Sequence, residues 1–185
     1  MNVKEIFNDI FNITHNIYED ERGSFSEIFN NKLMSKNNIP TNFVQDNLSF
    51  SEKSGTLRGL HFQNNPNAQS KLIKVLEGEI EDFFIDLRHD SPTYQKYSSF
   101  TLKKDNGWLY IPKGFAHGFC TLMDNTSVLY KVDNYYSQND ETGIIWNDNF
   151  FNITWPLSDN NLILSEKDKA LPLWSEIKDK VDFAL

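Results

Sequence analysis

Turn residues recur along this chain at intervals too short for helices and suited to strands. Glu77-Gly78-Glu79 separates Lys71 to Leu76 from Ile80 to Leu87, and Asp105-Asn106-Gly107 separates Tyr97 to Lys103 from Trp108 to Ile111. Pro112 ends that last run, and Asp124-Asn125 lies between His117 to Met123 and Thr126 to Tyr136. Phe43 to Phe50 alternates, and Thr56 to Gln63 follows Ser54-Gly55. Many short strands with this punctuation predict an all-β sandwich or barrel. An aromatic share of 14% suits strands and flat-ligand pockets. Helix is expected only over Ser26 to Met34 and Leu173 to Val181, with Ser165 and Asp168 spaced as a capping box. A chain of 185 residues without a linker or a long repeat predicts one domain, residues 1–185.

The charge balance narrows the partners. A net charge of −8 with no basic block argues against nucleic acid and anionic membrane, so any bound phosphate must be met by a few placed Arg or Lys side chains. Cys120 is the only cysteine, which leaves no internal disulfide, and its odd spacing from His117 predicts a packing role. No apolar run reaches membrane-spanning length and the first residues lack a signal-peptide core, so the cytoplasm is the expected compartment.

Two spacings carry the chemistry. The first is Gly55-x5-His61, then Gln63, then Lys71-x6-Gly78; the second is Pro112-x-Gly114-x2-His117. They resemble the two motifs of cupins, small jelly-roll barrels whose motif strands face each other. Metal-binding cupins carry a second His where this chain has Gln63, and a Glu where it has Lys71. An ammonium repels a divalent cation and a neutral amide is a poor zinc or iron ligand, so no metal and no other cofactor is expected. Lys71 instead places positive charge where an oxyanion can develop.

Six segments in order make the resemblance specific. Asp20-Glu21-Arg22-Gly23-Ser24-Phe25-Ser26-Glu27, Phe43-Val44-Gln45-Asp46-Asn47, Leu57-Arg58-Gly59-Leu60-His61-Phe62-Gln63, Ile111 to Phe119, Tyr130-Lys131 with Tyr135-Tyr136, and Leu164 to Asp168 span nearly the whole chain. Together they resemble the dTDP-4-dehydrorhamnose 3,5-epimerase family. The resemblance implies a cupin-type jelly roll with a short C-terminal helix. It also implies a cofactor-independent isomerase acting on a nucleotide-linked 4-keto-6-deoxy sugar, in the synthesis of dTDP-rhamnose for surface polysaccharide. The ketone at C4 acidifies C3 and C5; a base removes a proton, an enolate forms, and an acid returns a proton to the other face.

The same resemblance assigns roles. His61 is the base, a neutral imidazole suited to neutral pH, with Asp168 holding its tautomer. Taken alone, His61 reads as a core histidine and Asp168 as a helix cap; one carboxylate can both cap and meet an imidazole. Tyr130 is the acid and Lys71 the enolate-stabilising cation. His117 lines the same pocket. Arg22, Glu27, Gln45, Asn47 and Arg58 correspond to nucleotide-diphosphate contacts, Arg supplying the planar fork that phosphate accepts. Tyr136 stacks on the base, Tyr18 offers a second aromatic face, and Glu141 and Lys167 reach the ligand. The family is homodimeric, with the segment around Arg22 and Glu27 reaching the partner's site.

Strand parity adds two expectations. Tyr130 and Tyr136 share a face if Thr126 to Tyr136 is one regular strand, as do Gln45 and Asn47. Arg58 and His61 differ in parity, so both point inward only if Gly59 marks a bulge. Ser70 and the Asp133-Asn134 pair depart from the family pattern without removing a proposed catalytic group. The competing readings are an epimerase acting at one carbon or on another nucleotide sugar, a sugar ketoisomerase, a metal-dependent cupin oxygenase, and a non-catalytic nucleotide-sugar binder. The set His61, Lys71, Tyr130 and Asp168 argues against the ketoisomerase, Gln63 and Lys71 against the oxygenase, and the retained base and acid against the binder.

Overall fold

The computed structural model describes residues 1–183. Its alternating segments become two antiparallel sheets. Asn2–Phe7 (β1) and Ile10–Thr14 (β2) form an opening hairpin, and Tyr18–Asp20 (β3) with Gly23–Phe25 (β4) forms a separate small ribbon. A short helix, Asn31–Lys36 (α1), precedes Gln45–Ser51 (β5), Leu57–Gln63 (β6), Lys71–Glu77 (β7) and Glu79–Asp86 (β8). Tyr97–Lys103 (β9), Trp108–Ile111 (β10), Phe115–Thr121 (β11), Thr126–Val132 (β12) and Glu141–Gly143 (β13) complete the strands, before Glu166–Lys169 (α2) and Trp174–Ile177 (α3). The six-stranded sheet runs β1-β2-β10-β7-β12-β5 and the five-stranded sheet β13-β6-β11-β8-β9.

Inward side chains of the two sheets make one apolar layer between them: Ile73, Val75, Leu109 and Val128 meet Ile80, Phe84, Phe115 and Phe119. The outer face of the five-stranded sheet is covered by the C-terminal segment. Phe83, Ile85 and Leu87 pack there against Phe151, Trp174, Ile177, Val181 and Phe183. Met34 of α1 and Ile39 cover Leu72, Trp108 and Tyr110 on the outside of the other sheet. With both sheets backed, the open end of the sandwich is left to hold a ligand. This is the cupin-type jelly roll.

Several boundaries differ from expectation. The early helix starts at Asn31, not Ser26, because the Asn30 side chain accepts from the Leu33 amide and caps it there. The last helix is α-helical only over Trp174–Ile177 and continues as a 3-10 turn over Lys178–Lys180, while Trp174, Ile177 and Val181 still bury one face. The strand expected to reach Tyr136 ends at Val132. There Asp133 turns to accept the Ser70 amide at 2.7 Å, and Asn134 caps the Tyr135 amide at 3.0 Å. The strands β1, β2, β3, β4 and β13 were not anticipated.

Candidate active site

Gly59 decides how β6 faces the barrel. Opposite β11, His61 pairs with His117 and Arg58 with Phe119, so Gly59 and Leu60 together stand against Gly118 alone. This is the extra residue of a bulge, and it lets Arg58 and His61 line one cavity in spite of their parity. Gly59 has φ 119°, and a Cβ there would meet Gly118 Cα at 2.6 Å. Only glycine fits both the conformation and the approach.

The cavity between the sheets has a volume of about 510 Å³. The five-stranded sheet contributes Arg58 and His61 from β6, His117 from β11 and Glu141 from β13; the six-stranded sheet contributes Lys71 from β7 and Tyr130 from β12. Lys167 and Asp168 enter from α2. A contiguous compartment shares His61, Lys71, Tyr130 and Glu141 and extends to Gln45, Asn47 and Tyr136. Thus Tyr136 reaches the same hollow as Tyr130, but from the loop after β12, where its ring is exposed, and not from strand alternation.

His61 Nε2 lies 2.6 Å from Asp168 Oδ1. A carboxylate only accepts, so Nε2 carries the proton and Nδ1 is the nitrogen free to take another. The Ser165 hydroxyl accepts from the Asp168 amide at 3.1 Å, so Asp168 holds its place in the cap of α2 while its carboxylate faces His61. Burial pushes the Asp168 carboxyl up, but hydrogen bonds from His61, Ser165 and the Gly59 amide outweigh it and hold the group below the usual carboxylate range. It therefore stays ionised and anchors the imidazole.

A second imidazole–carboxylate pair stands beside the first. His117 Nε2 lies 2.9 Å from Asp82 Oδ2, and His117 Nδ1 lies 3.5 Å from Lys71 Nζ. Asp82 is fully buried. Burial pushes the Asp82 carboxyl up and the His117 imidazole down, each opposed by the other's charge. The sequence reading missed Asp82. Its signal was a lone carboxylate within the inward alternation Ile80-x-Asp82-x-Phe84.

Burial also pushes the Lys71 ammonium down to about 8, with Asp82 and Glu141 opposing. If the ammonium is the active form, kcat/KM is lost as pH rises through about 8, because deprotonation removes the charge that an enolate oxygen would meet. A kcat/KM profile that stays flat well above that value excludes the Lys71 ammonium from this role. Tyr130 does not compete for this limb, since burial raises its phenol above the ordinary value of 10, against the pull of Arg58.

The remaining polar groups frame the mouth. Arg58 donates to the Phe50 carbonyl at 3.1 Å, which aims its fork along the rim. Gln45 donates to Asn47 Oδ1 at 2.8 Å, so one strand face presents both amides. Tyr136 donates to Glu141 Oε2 at 2.8 Å, and Lys167 meets the same oxygen at 2.5 Å. Tyr18, Arg22 and Glu27 lie outside this cavity. Tyr18 and Arg22 line a groove on the β3–β4 ribbon, Arg22 is paired with Asp20 and largely exposed, and Glu27 accepts from Asn30 at 3.1 Å. Cys120 is buried, with its thiol pushed by burial up to about 11, which suits packing.

A sequence profile of the dTDP-4-dehydrorhamnose 3,5-epimerase family matches residues 4–176. This chain belongs to that family. A dTDP-4-dehydrorhamnose 3,5-epimerase of Shigella flexneri is 44% identical over 168 residues, covering 90% of this chain and 91% of the relative. The crystal structure of the Bacillus anthracis enzyme with TDP and PPi bound is 46% identical, with a TM-score of 0.86, over 93% of this chain and 99% of that one. The Legionella pneumophila enzyme in complex with dTDP-4-keto-L-rhamnose superposes with a TM-score of 0.91 at 38% identity, over 100% and 98% of the two chains. Membership makes the chain an isomerase, an epimerase of dTDP-rhamnose biosynthesis. Among the described residues no helix is long and apolar enough to cross a membrane.

Proposed function

We propose that this epimerase takes dTDP-4-dehydro-6-deoxy-D-glucose in the cytoplasm and inverts C3 and C5 to give dTDP-4-dehydro-L-rhamnose. The observation that carries the reading is that His61 and Tyr130 stand on different sheets and line one cavity together with Lys71. An imidazole and a phenol from different sheets of one hollow can address the two faces of a sugar ring.

In this reading His61 Nδ1 removes the proton beside the ketone, and the electron pair moves onto the C4 oxygen. The Lys71 ammonium stabilises that oxyanion, with His117 beside it. Tyr130 donates a proton to the opposite face and is left as phenolate, while His61 is left as imidazolium held by Asp168. Exchange with solvent restores both, and the cycle repeats at the second carbon. Each step is a proton transfer, so no redox or metal cofactor is called for. Arg58, Gln45 and Asn47 receive the nucleotide diphosphate, Tyr136 stacks on its base, and Glu141 and Lys167 close the mouth.

In a homodimer, the β3–β4 ribbon and the residues just after it would bring Tyr18, Arg22 and Glu27 to the partner's cavity. The ribbon is exposed, Tyr18 by 60% and Phe25 by 70%, and a basic and an aromatic group that do not line the cavity of their own chain suit a partner's. The test is incubation with dTDP-4-dehydro-6-deoxy-D-glucose in deuterated water containing a chelator. Proton NMR is expected to show loss of signal at C3 and C5, and a coupled reductase to yield dTDP-L-rhamnose. No exchange at either carbon would overturn the reading.

A further inference from the structure

Tyr136 stands on the cavity rim without the support of a strand, since β12 ends four residues earlier and the ring is 54% exposed. Neither a ladder nor packing accounts for its position. Its hydroxyl donates to Glu141, and the backbone on both sides of it is bonded to one side chain from the strand of His61. We propose that Gln63 is a positioning residue for nucleotide recognition, whose amide holds the backbone on both sides of Tyr136 so that its ring stands ready at the cavity mouth.

Gln63 is the last residue of β6, two after His61, and is 5% exposed. Its Nε2 donates to the Asn67 carbonyl at 2.5 Å and to the Tyr135 carbonyl at 3.2 Å, and its Oε1 accepts from the Ser137 amide at 2.8 Å. The peptide groups flanking Tyr136 are thus both bonded to one primary amide. The Tyr136 amide itself donates to Gln45 Oε1 at 3.3 Å, but that contact is to a neighbour on the edge strand. Among the described residues, Gln63 is the one side chain bonded to the backbone on both sides of Tyr136, whose hydroxyl also meets Glu141 of the sheet that carries His61.

The chemistry of this grip demands glutamine. Two donor hydrogens are needed for two carbonyls, and one acceptor for an amide, all at one side-chain terminus. A carboxylate in the same place sets an oxygen against two carbonyl oxygens, and a neutral imidazole offers only one donor. The residue that stands where metal cupins carry a ligand therefore has a positive task, ordering the aromatic rim before the ligand arrives. Fixing that ring in advance lowers the ordering cost of binding, so the effect belongs to affinity and not to proton transfer.

The proposal rests on the reading of Tyr136 as a nucleotide contact, and the experiment separates the two. Binding of dTDP by calorimetry and steady-state kinetics are measured for Gln63→Met, Tyr136→Ala and the double variant. Gln63→Met is expected to raise the dTDP Kd about 10-fold and KM with it, while kcat falls by less than about 3-fold. The double variant is expected to bind no more weakly than Tyr136→Ala alone, because both changes remove one ordered ring. Should Gln63→Met fail to fold, Gln63→Glu serves. It is expected to bind weakly at neutral pH and to recover as acid protonates the carboxyl and restores a donor. Normal dTDP binding in Gln63→Met, or additive losses in the double variant, would overturn the proposal. Unchanged binding in Tyr136→Ala would overturn the reading of Tyr136 and this proposal with it.

Discussion

His61→Ala is expected to abolish deuterium exchange at both C3 and C5 while dTDP still binds. The imidazole is aimed by a carboxylate, with Nε2 held at 2.6 Å by Asp168 and Nδ1 left over for the substrate. A positioned general base is worth about 10²- to 10⁴-fold, so the residual rate should fall by that order at both carbons together. His117 cannot substitute, because its Nε2 is engaged by buried Asp82 and its Nδ1 faces the Lys71 ammonium. Asp168→Asn should also slow exchange strongly, since an amide can present its donor face to Nε2 and select the other tautomer. The measurement is proton NMR in deuterated water beside calorimetric binding of dTDP. Near-normal exchange in His61→Ala would remove the base from this position.

Tyr130→Phe separates inversion from simple enolisation. Its ring stays packed beside Ile73 and Asn47, the register partners of Tyr130, so the cavity keeps its shape and the substrate its site. His61 still abstracts and Lys71 still stabilises the enolate, so part of the proton exchange should survive. What is lost is the donor on the opposite face, so the inverted product should fall by about 100-fold or more, most clearly at C5. Burial holds the Tyr130 phenol above its ordinary pKa, so at neutral pH it carries the proton it must give. Exchange and product configuration read on one sample decide the matter. Doubly inverted sugar at the wild-type rate in Tyr130→Phe would reduce the tyrosine to pocket lining.

Local chemistry explains why much of the fold was legible. Glu77-Gly78-Glu79 and Asp105-Asn106-Gly107 break the chain wherever they stand, because φ of 83° at Gly78 and 81° at Gly107 is open to glycine at little cost. The parity conflict between Arg58 and His61 likewise pointed to Gly59, since two side chains of opposite parity can share a face only across an extra residue. The strands around Tyr18 and Gly23 were not legible because a three-residue ribbon carries too little alternation. Nor was the end of β12 legible: Asp133 and Asn134 leave the ladder to cap amides at Ser70 and Tyr135, the first of them 63 residues away.

The sequence by itself determined the alternating strands and their turns, the family, in whose pattern His61, Tyr130 and Lys71 stand as the proposed base, acid and cation, and the need for a bulge at Gly59. The strands, the turns and the bulge follow from side-chain type and spacing along the chain, and the proposed roles from the resemblance to the family. Only the tertiary structure decided that Asp82 backs His117, that Lys71 lies beside His117, and that Gln63 grips the loop carrying Tyr136. Those partners are set by which strands neighbour each other and in what register. That choice is made by burial of the whole barrel face, which no single segment encodes.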